Sequence, residues 1–402
     1  MTAAEAATLL IDTLGPKRSG SGAEVLRSLA VLKRADRARQ RIDALRSNPS
    51  PGLACYGTAV AETLDQFSAD GLLAAFDSPQ AGWDLDTDDW PLETVTDRRD
   101  PATVDAALWR HLAGLPMKAA VHLVPPPSHR PISLPHLGLV VHATGPIAVF
   151  LRPDGGLRIV WIDGFAVTLP AAPTELESDP AAMTAGRVGR LPTWQARPVE
   201  PATADIRDAF ALFRPVTDAG DRSQVLHAQC EAQQLLQSVW PETAESVEIW
   251  LRGWMPLACR DGARSHSSPR LPGIILTSAT DLYQAADLLC HETAHMRLGA
   301  ALAHDPLLHN GLTTGFPSPW RSDSRPLYGL LLGVHAFLDV CRFHQRVIDT
   351  QPGHPQSDIS ATIASRQAGH VKSAWATLAA VADPTPLGQT LLSKLEQEVE
   401  RL

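Results

Sequence analysis

The sequence has no C-x-x-C pair and only five cysteines, scattered at 55, 230, 259, 290 and 341. An odd, unclustered set suits reduced thiols better than a disulfide framework, so a reducing, cytoplasmic setting is expected. Cys290 adjoins the strongest motif in the chain but leaves its helix on another side, and it reads as a buried apolar filler. No apolar run is long enough to span a bilayer. The first residues, MTAAEAATLLIDTLG, are amphipathic and lack a basic region followed by an apolar core, so neither a signal peptide nor a membrane partner is expected. There is no excess of positive charge: the formal net charge is −9 over 402 residues. That argues against a nucleic-acid footprint and against an anionic membrane surface. No P-loop, no G-x-G-x-x-G and no internal repeat is present, which leaves no signal for nucleotide phosphates or a solenoid. No segment is low-complexity either; the 33 prolines and 27 glycines imply long ordered loops.

What remains is a soluble, mixed chain long enough for more than one domain. Residues 1–117 carry helical periodicity over 2–14, 22–45 and 102–115, with an acidic loop at 84–100 that reads as a solvated surface. Residues 118–200 change character. The segments 119–124, 137–143, 147–152, 157–162 and 165–169 are β-rich and bounded by turns, and Pro153-Asp154-Gly155-Gly156 is a hairpin signal. An antiparallel module is expected there, with His122 and His142 as ordinary strand residues. Residues 201–402 return to helix: 202–213, 222–239, 325–347, 357–381 and 386–401, with strands at 247–254 and 274–276. The expected class is α+β and mainly helical. The antiparallel module lies in the middle, and a zincin-like strand and helix form the catalytic region in place of a cupin barrel.

The chemistry concentrates in residues 280–302. With Thr280 or Asp281 as N-cap they read as one helix carrying His291-Glu292-Thr293-Ala294-His295, an H-E-x-x-H. Residues four apart share a helix face, so both imidazoles can address one metal ion. Glu292 lies about 100° round the helix, within reach of a water on that ion. Two histidines do not complete a catalytic metal site. A metzincin would place Gly at 298 and His at 301, where this chain has Leu298 and Ala301. A gluzincin would supply a glutamate a few tens of residues on, but the next one is Glu396. On the helix at 325–347, His335 is a candidate third ligand. Asp339, one turn on, would either orient it or be the ligand itself. His304, His309 and His344 are further alternatives. Between the two helices, three prolines stiffen residues 317–326, which carry Arg321 and Arg325. A guanidinium is a natural clamp for a carboxylate, although Asp323 is an equally near partner.

HETAH, then S-P-W-R-x-D-x-R-P, then glycine followed by H-A-F resembles the HExxH-motif peptide-modification family. These are 2-oxoglutarate-dependent peptide β-hydroxylases of ribosomal peptide natural product pathways. The similarity covers about residues 270–347. It implies a non-haem Fe(II) enzyme that uses 2-oxoglutarate and O2 to hydroxylate a C–H of a precursor peptide, the β-carbon of aspartate being one case. It maps His291, Glu292 and His295 onto the motif and Arg321 and Arg325 onto the arginine block; the arginines would hold 2-oxoglutarate. His335 as third ligand rests on spacing and face instead. Glu292 would then orient a ligand rather than activate a nucleophile. Two other readings compete: a zinc metallopeptidase with Glu292 as general base, and a non-catalytic peptide-binding protein with a structural metal.

Overall fold

A computed structural model describes residues 20–77, 108–125, 132–134, 139–141, 146–169, 188–190, 193–194, 197–198, 214–215, 219–258, 264–268 and 272–402. The helices expected over 2–14 and 202–213, residues 102–107 of that over 102–115, the acidic loop at 84–100, His142 and Cys259 lie outside the described residues; the rest of the 102–115 segment holds only a short 3-10 turn, Leu108–His111. The chain divides into two compact units, Val31–Asp88 with Val95–Ala209, and Phe210–Leu402 with Met1–Ala30 and Asp89–Thr94. The class is mixed α+β with an antiparallel sheet in the middle, and no sheet among the described residues closes into a barrel.

In the first unit, helices α1 (Gly20–Arg46, from Val31 on), α2 (Pro51–Leu64) and α3 (Ala69–Phe76) precede a short 3-10 turn at Leu108–His111. Strands follow: β1 (Val121–Leu123), β2 (Ile132–Leu134), β3 (Leu139–Val141), β4 (Ile147–Leu151), β5 (Leu157–Trp161), β6 (Ala166–Leu169), β7 (Val188–Arg190), β8 (Thr193–Trp194) and β9 (Arg197–Pro198). β1, β4, β5 and β6 form an antiparallel sheet in the order β1-β4-β5-β6. Along β4 and β5 alternate side chains turn inward, so Val149, Leu151, Leu157 and Ile159 share one core with Val31, Ile42 and Val60 of the helices. The 153–156 turn closes the β4–β5 hairpin. Gly155 sits at φ 86°, a left-handed conformation that favours glycine, and the Gly156 N–H donates to Asp154 Oδ1 at 2.9 Å.

In the second unit, β10 (Arg214–Pro215) and helices α4 (Ala219–Val239) and α5 (Pro241–Trp250) lead to β11 (Gly253–Ala258), β12 (Ser265–Ser267) and β13 (Ile274–Thr277). The strand expected over 247–254 is a correction: residues up to Trp250 finish α5, and β11 begins at Gly253. Pro241 opens that helix, and Ala244, Val247 and Trp250 are buried at helical spacing, a period that outweighs the β-branched run around Val247. The sheet order is β10-β11-β13-β12, with β11 and β13 parallel and β12 antiparallel at one edge. All four residues of β13 are buried, as expected of an inner strand covered on both faces. Next come α6 (Leu282–Leu302), the two-stranded β14 (Phe316–Ser318) and β15 (Arg321–Arg325), α7 (Leu327–Thr350), α8 (Pro355–Val381) and α9 (Pro386–Glu400). The second core joins Leu298 and Ala301 of α6 to Leu331, Val334 and Leu338 of α7, Leu378 of α8 and Leu395 of α9. No helix among the described residues is long and apolar enough to cross a membrane.

Candidate metal centre

Helix α6 starts where its cap dictates. Asp281 is extended (φ −91°, ψ 137°), and its carboxylate accepts from the Gln284 N–H at 2.9 Å. Ala285, Ala286, Leu289, Cys290, Ala294 and Leu298 are buried against the rest of the unit, which sets the rotation of the helix. That rotation leaves His291 and His295 together on a half-buried face. Their rings are 4.5 Å apart and nearly perpendicular, and the two Nε2 atoms are 2.9 Å apart. Two nitrogens each about 2.1 Å from one ion, at right angles, would stand about 3.0 Å apart. The pair therefore fits two adjacent positions of a metal ion; without one, the same separation is an N–H···N hydrogen bond. His295 is pushed down to about 3, first by burial and then by the neighbouring His291, with Glu292 opposing. It is a neutral imidazole at neutral pH, the form that binds metals.

Glu292 is held quite differently from a free base. It is buried, with one carboxylate oxygen accepting from Ser265 Oγ and the other from Ser267 Oγ, each at 2.5 Å. Successive side chains on a strand alternate, so the two serines of β12 present both hydroxyls on one side. Burial alone would raise the carboxyl. The histidines around it, His291 foremost, and the Ser265 hydrogen bond outweigh it and keep Glu292 below its ordinary range.

Helix α7 brings an aromatic side chain to the pair. Phe337 meets His291 edge-on at 4.6 Å and stacks face to face on Trp320 at 4.6 Å. His335 precedes Phe337 by two residues, about 200° round the helix, and is buried on that other side. Asp339, one turn on from His335, is committed elsewhere: it is ion-paired with Arg297 and bonded by Arg342 Nη1 at 3.0 Å, and Arg342 also reaches Glu398 at 2.7 Å. His304 and His309 are exposed after α6. His344 lies between Asp287 and Ser360, 3.1 Å from each. Those three have the residue types of a nucleophilic triad, but Ser360 is fully buried, so the trio fastens α6, α7 and α8 together. Among the described residues no group of three or more His, Cys, Asp or Glu side chains is gathered closely enough to hold a metal ion. The structure thus brings His291, His295 and Glu292 together, buries His335 on α7, and commits Asp339 to Arg297 and Arg342.

Arg321 and Arg325 bracket Asp323 on β15, at 2.9 and 3.3 Å. Arg321 and Asp323 are more than half exposed, and Arg325 about a third. The two arginines together hold Asp323 below the usual carboxylate range. Such exposed pairs are weak and exchange readily with solutes. The residues that sequence reasoning missed are Ser265, Ser267, His266 and Phe337. The S-x-S spacing just before strand 274–276 was the available signal for the serines; that β12 would lie against Glu292 is a tertiary fact. Comparison of the chain with protein-family models and with curated proteins returns no match.

Proposed function

We propose that the protein is a non-haem Fe(II)/2-oxoglutarate-dependent oxygenase that hydroxylates a C–H of a ribosomally made precursor peptide, on a zincin-like strand-and-helix centre. The observation that carries this reading over the peptidase is Glu292. In a hydrolase that glutamate must take a proton from the attacking water, and an efficient general base has a pKa near the working pH and a lone pair turned to that water. Here each oxygen already accepts a serine hydroxyl and the carboxyl is held below its ordinary range, which weakens it as a base. Oxygen insertion into a C–H bond needs no such base.

His291 and His295 would hold the iron through Nε2, His295 as the neutral imidazole. Bound iron supplies the coupling of O2 reduction to 2-oxoglutarate decarboxylation that oxidises an unactivated C–H bond. Glu292 keeps a buried negative charge beside the pair, which favours a cation there, and anchors β12 to α6. Arg321 or Arg325 would take the distal carboxylate of 2-oxoglutarate by exchanging Asp323 for it.

The test is anaerobic purification followed by iron titration and a succinate assay with peptide and O2. One Fe(II) per chain is expected, lost in His291→Ala and in His295→Ala, with succinate released in step with a 16-dalton gain on the peptide. Stoichiometric zinc, cleaved peptide and no succinate would establish the peptidase instead.

A further inference from the structure

The S-P-W-R block invites attention to its arginines, yet its member nearest the histidines is Trp320. Its indole lies flat on Phe337, with ring centroids 4.6 Å apart and planes 4° apart, and Phe337 in turn meets the His291 imidazole edge-on at 4.6 Å and 67°. Three further features hold the indole. Its Nε1–H donates to Gln367 Oε1 of α8 at 3.0 Å. The His370 ring approaches it edge-on at 6.2 Å. A Cβ on Gly333 would come within 2.5 Å of it, so glycine at that position of α7 is what opens the slot. The imidazole is therefore bounded by a pinned aromatic edge and by the His295 ring, 2.9 Å away between Nε2 atoms.

We infer that Trp320 is a positioning residue for His291: acting through Phe337, it fixes the rotation of the imidazole so that Nε2 stays turned toward His295. A histidine on a half-exposed helix face otherwise explores several ring orientations, because its terminal torsion is broad and roughly two-fold. Stacked and edge-on aromatic pairs restrict that freedom and contribute beyond the area they bury. The ring would then already be turned toward a metal before one arrives, which spares the cost of ordering it on binding. The orientation itself rests on contacts within the chain. Its consequence for metal affinity rests on the reading of the histidine pair given above.

The experiment uses the full chain with 15N-labelled histidine, metal-free, and reads the His291 imidazole signals, assigned by their loss in His291→Gln. In wild type a single tautomer is expected, with one Nε2 hydrogen-bonded. Trp320→Ala and Gly333→Ala, the latter crowding the indole out of its slot, are expected to shift those signals and mix the tautomers, whereas Trp320→Phe preserves them. Phe337→Leu keeps an apolar side chain, removes the ring edge and is expected to behave like Trp320→Ala, so the decision stands even if one variant fails to fold. With Co(II) as probe, Trp320→Ala and Phe337→Leu should weaken binding about tenfold and alter the visible spectrum, and Trp320→Phe should stay within about twofold. Unchanged His291 signals in Trp320→Ala, Gly333→Ala and Phe337→Leu would overturn the inference. If Co(II) binds wild type and His291→Gln equally, the metal reading falls, while the imidazole signals still decide whether Trp320 positions His291.

Discussion

Asp339 separates a metal ligand from a structural charge, and the structure sets the size of the effect. Its carboxylate pairs with Arg297; the side chains are 3% and 1% exposed. Replacing it with alanine leaves the Arg297 guanidinium buried with Ser246 Oγ, 3.2 Å away, in place of a counter-charge. Removing one partner of a buried ion pair costs about 3–5 kcal/mol. Arg342 loses its bond to Asp339 as well, but it is 18% exposed and keeps Glu398, so its share is small. For a domain of 150–250 residues each kcal/mol lowers Tm by about 2–4 °C, giving a drop of about 6–20 °C. Asp339→Leu combined with Arg297→Met removes both charges and should recover most of the loss, because burying neither ion is often neutral or better. Metal affinity, titrated with Co(II) well below the melting range, should match wild type. The assay is a thermal melt beside that titration, with His291→Ala as the reference for lost binding. A near-normal Tm together with lost metal would refute the reasoning and make Asp339 a ligand.

Ser265→Ala and Ser267→Ala each leave one oxygen of a buried carboxylate without its donor, which costs about 1.5–3 kcal/mol at pH 7, read as a lower Tm. Because Glu292 lies below its ordinary value of 4.5 in the fold, its ionisation stabilises the fold above that value, and the contribution is lost as pH falls through the depressed one. The deficit of either variant should therefore shrink in acid; a deficit that grows in acid refutes the assignment. If 2-oxoglutarate exchanges for Asp323, Asp323→Asn should lower the half-saturating co-substrate concentration about threefold and Arg321→Ala raise it about tenfold, both read as succinate release. No change in either would remove the arginine block from the site. Cys341 is buried and its thiol is pushed up to about 12, chiefly by burial, whereas Cys55 is exposed. A thiol reagent at pH 8 should modify Cys55 in the native protein and reach Cys341 only on unfolding; equal rates would contradict the packing of α7.

The parts of the fold that were legible are those governed by neighbours in sequence. Asp281 caps α6 because a carboxylate before an apolar-periodic run meets the free N–H groups of the first turn. The β4–β5 hairpin follows from a turn whose Gly155 takes a positive φ. Residues 247–250 were misread because Val247, Ile249 and Trp250 favour strands locally, while the packing of Ala244, Val247 and Trp250 on one side favours helix. Packing is a non-local term and it prevailed.

The sequence by itself determined that His291 and His295 share a face, since a spacing of four on a helix leaves no other arrangement. It could not say which side of α7 would meet them. His335, Phe337 and Asp339 all lie within five residues, and a local pattern ranks them by chemistry alone, which favours the histidine. The tertiary structure set Phe337 against His291 and Asp339 against Arg297, because the packing of α7 on α6 and α8 fixed its rotation. In the same way Arg321 and Arg325 found Asp323 two residues off, within their own hairpin, while Trp320 found a slot on α7 that exists only because Gly333 lacks a side chain. Spacing along one helix is set by covalent geometry. Which face of a second helix arrives opposite it is set by the burial of many apolar side chains at once, and that sum is available only in the assembled fold.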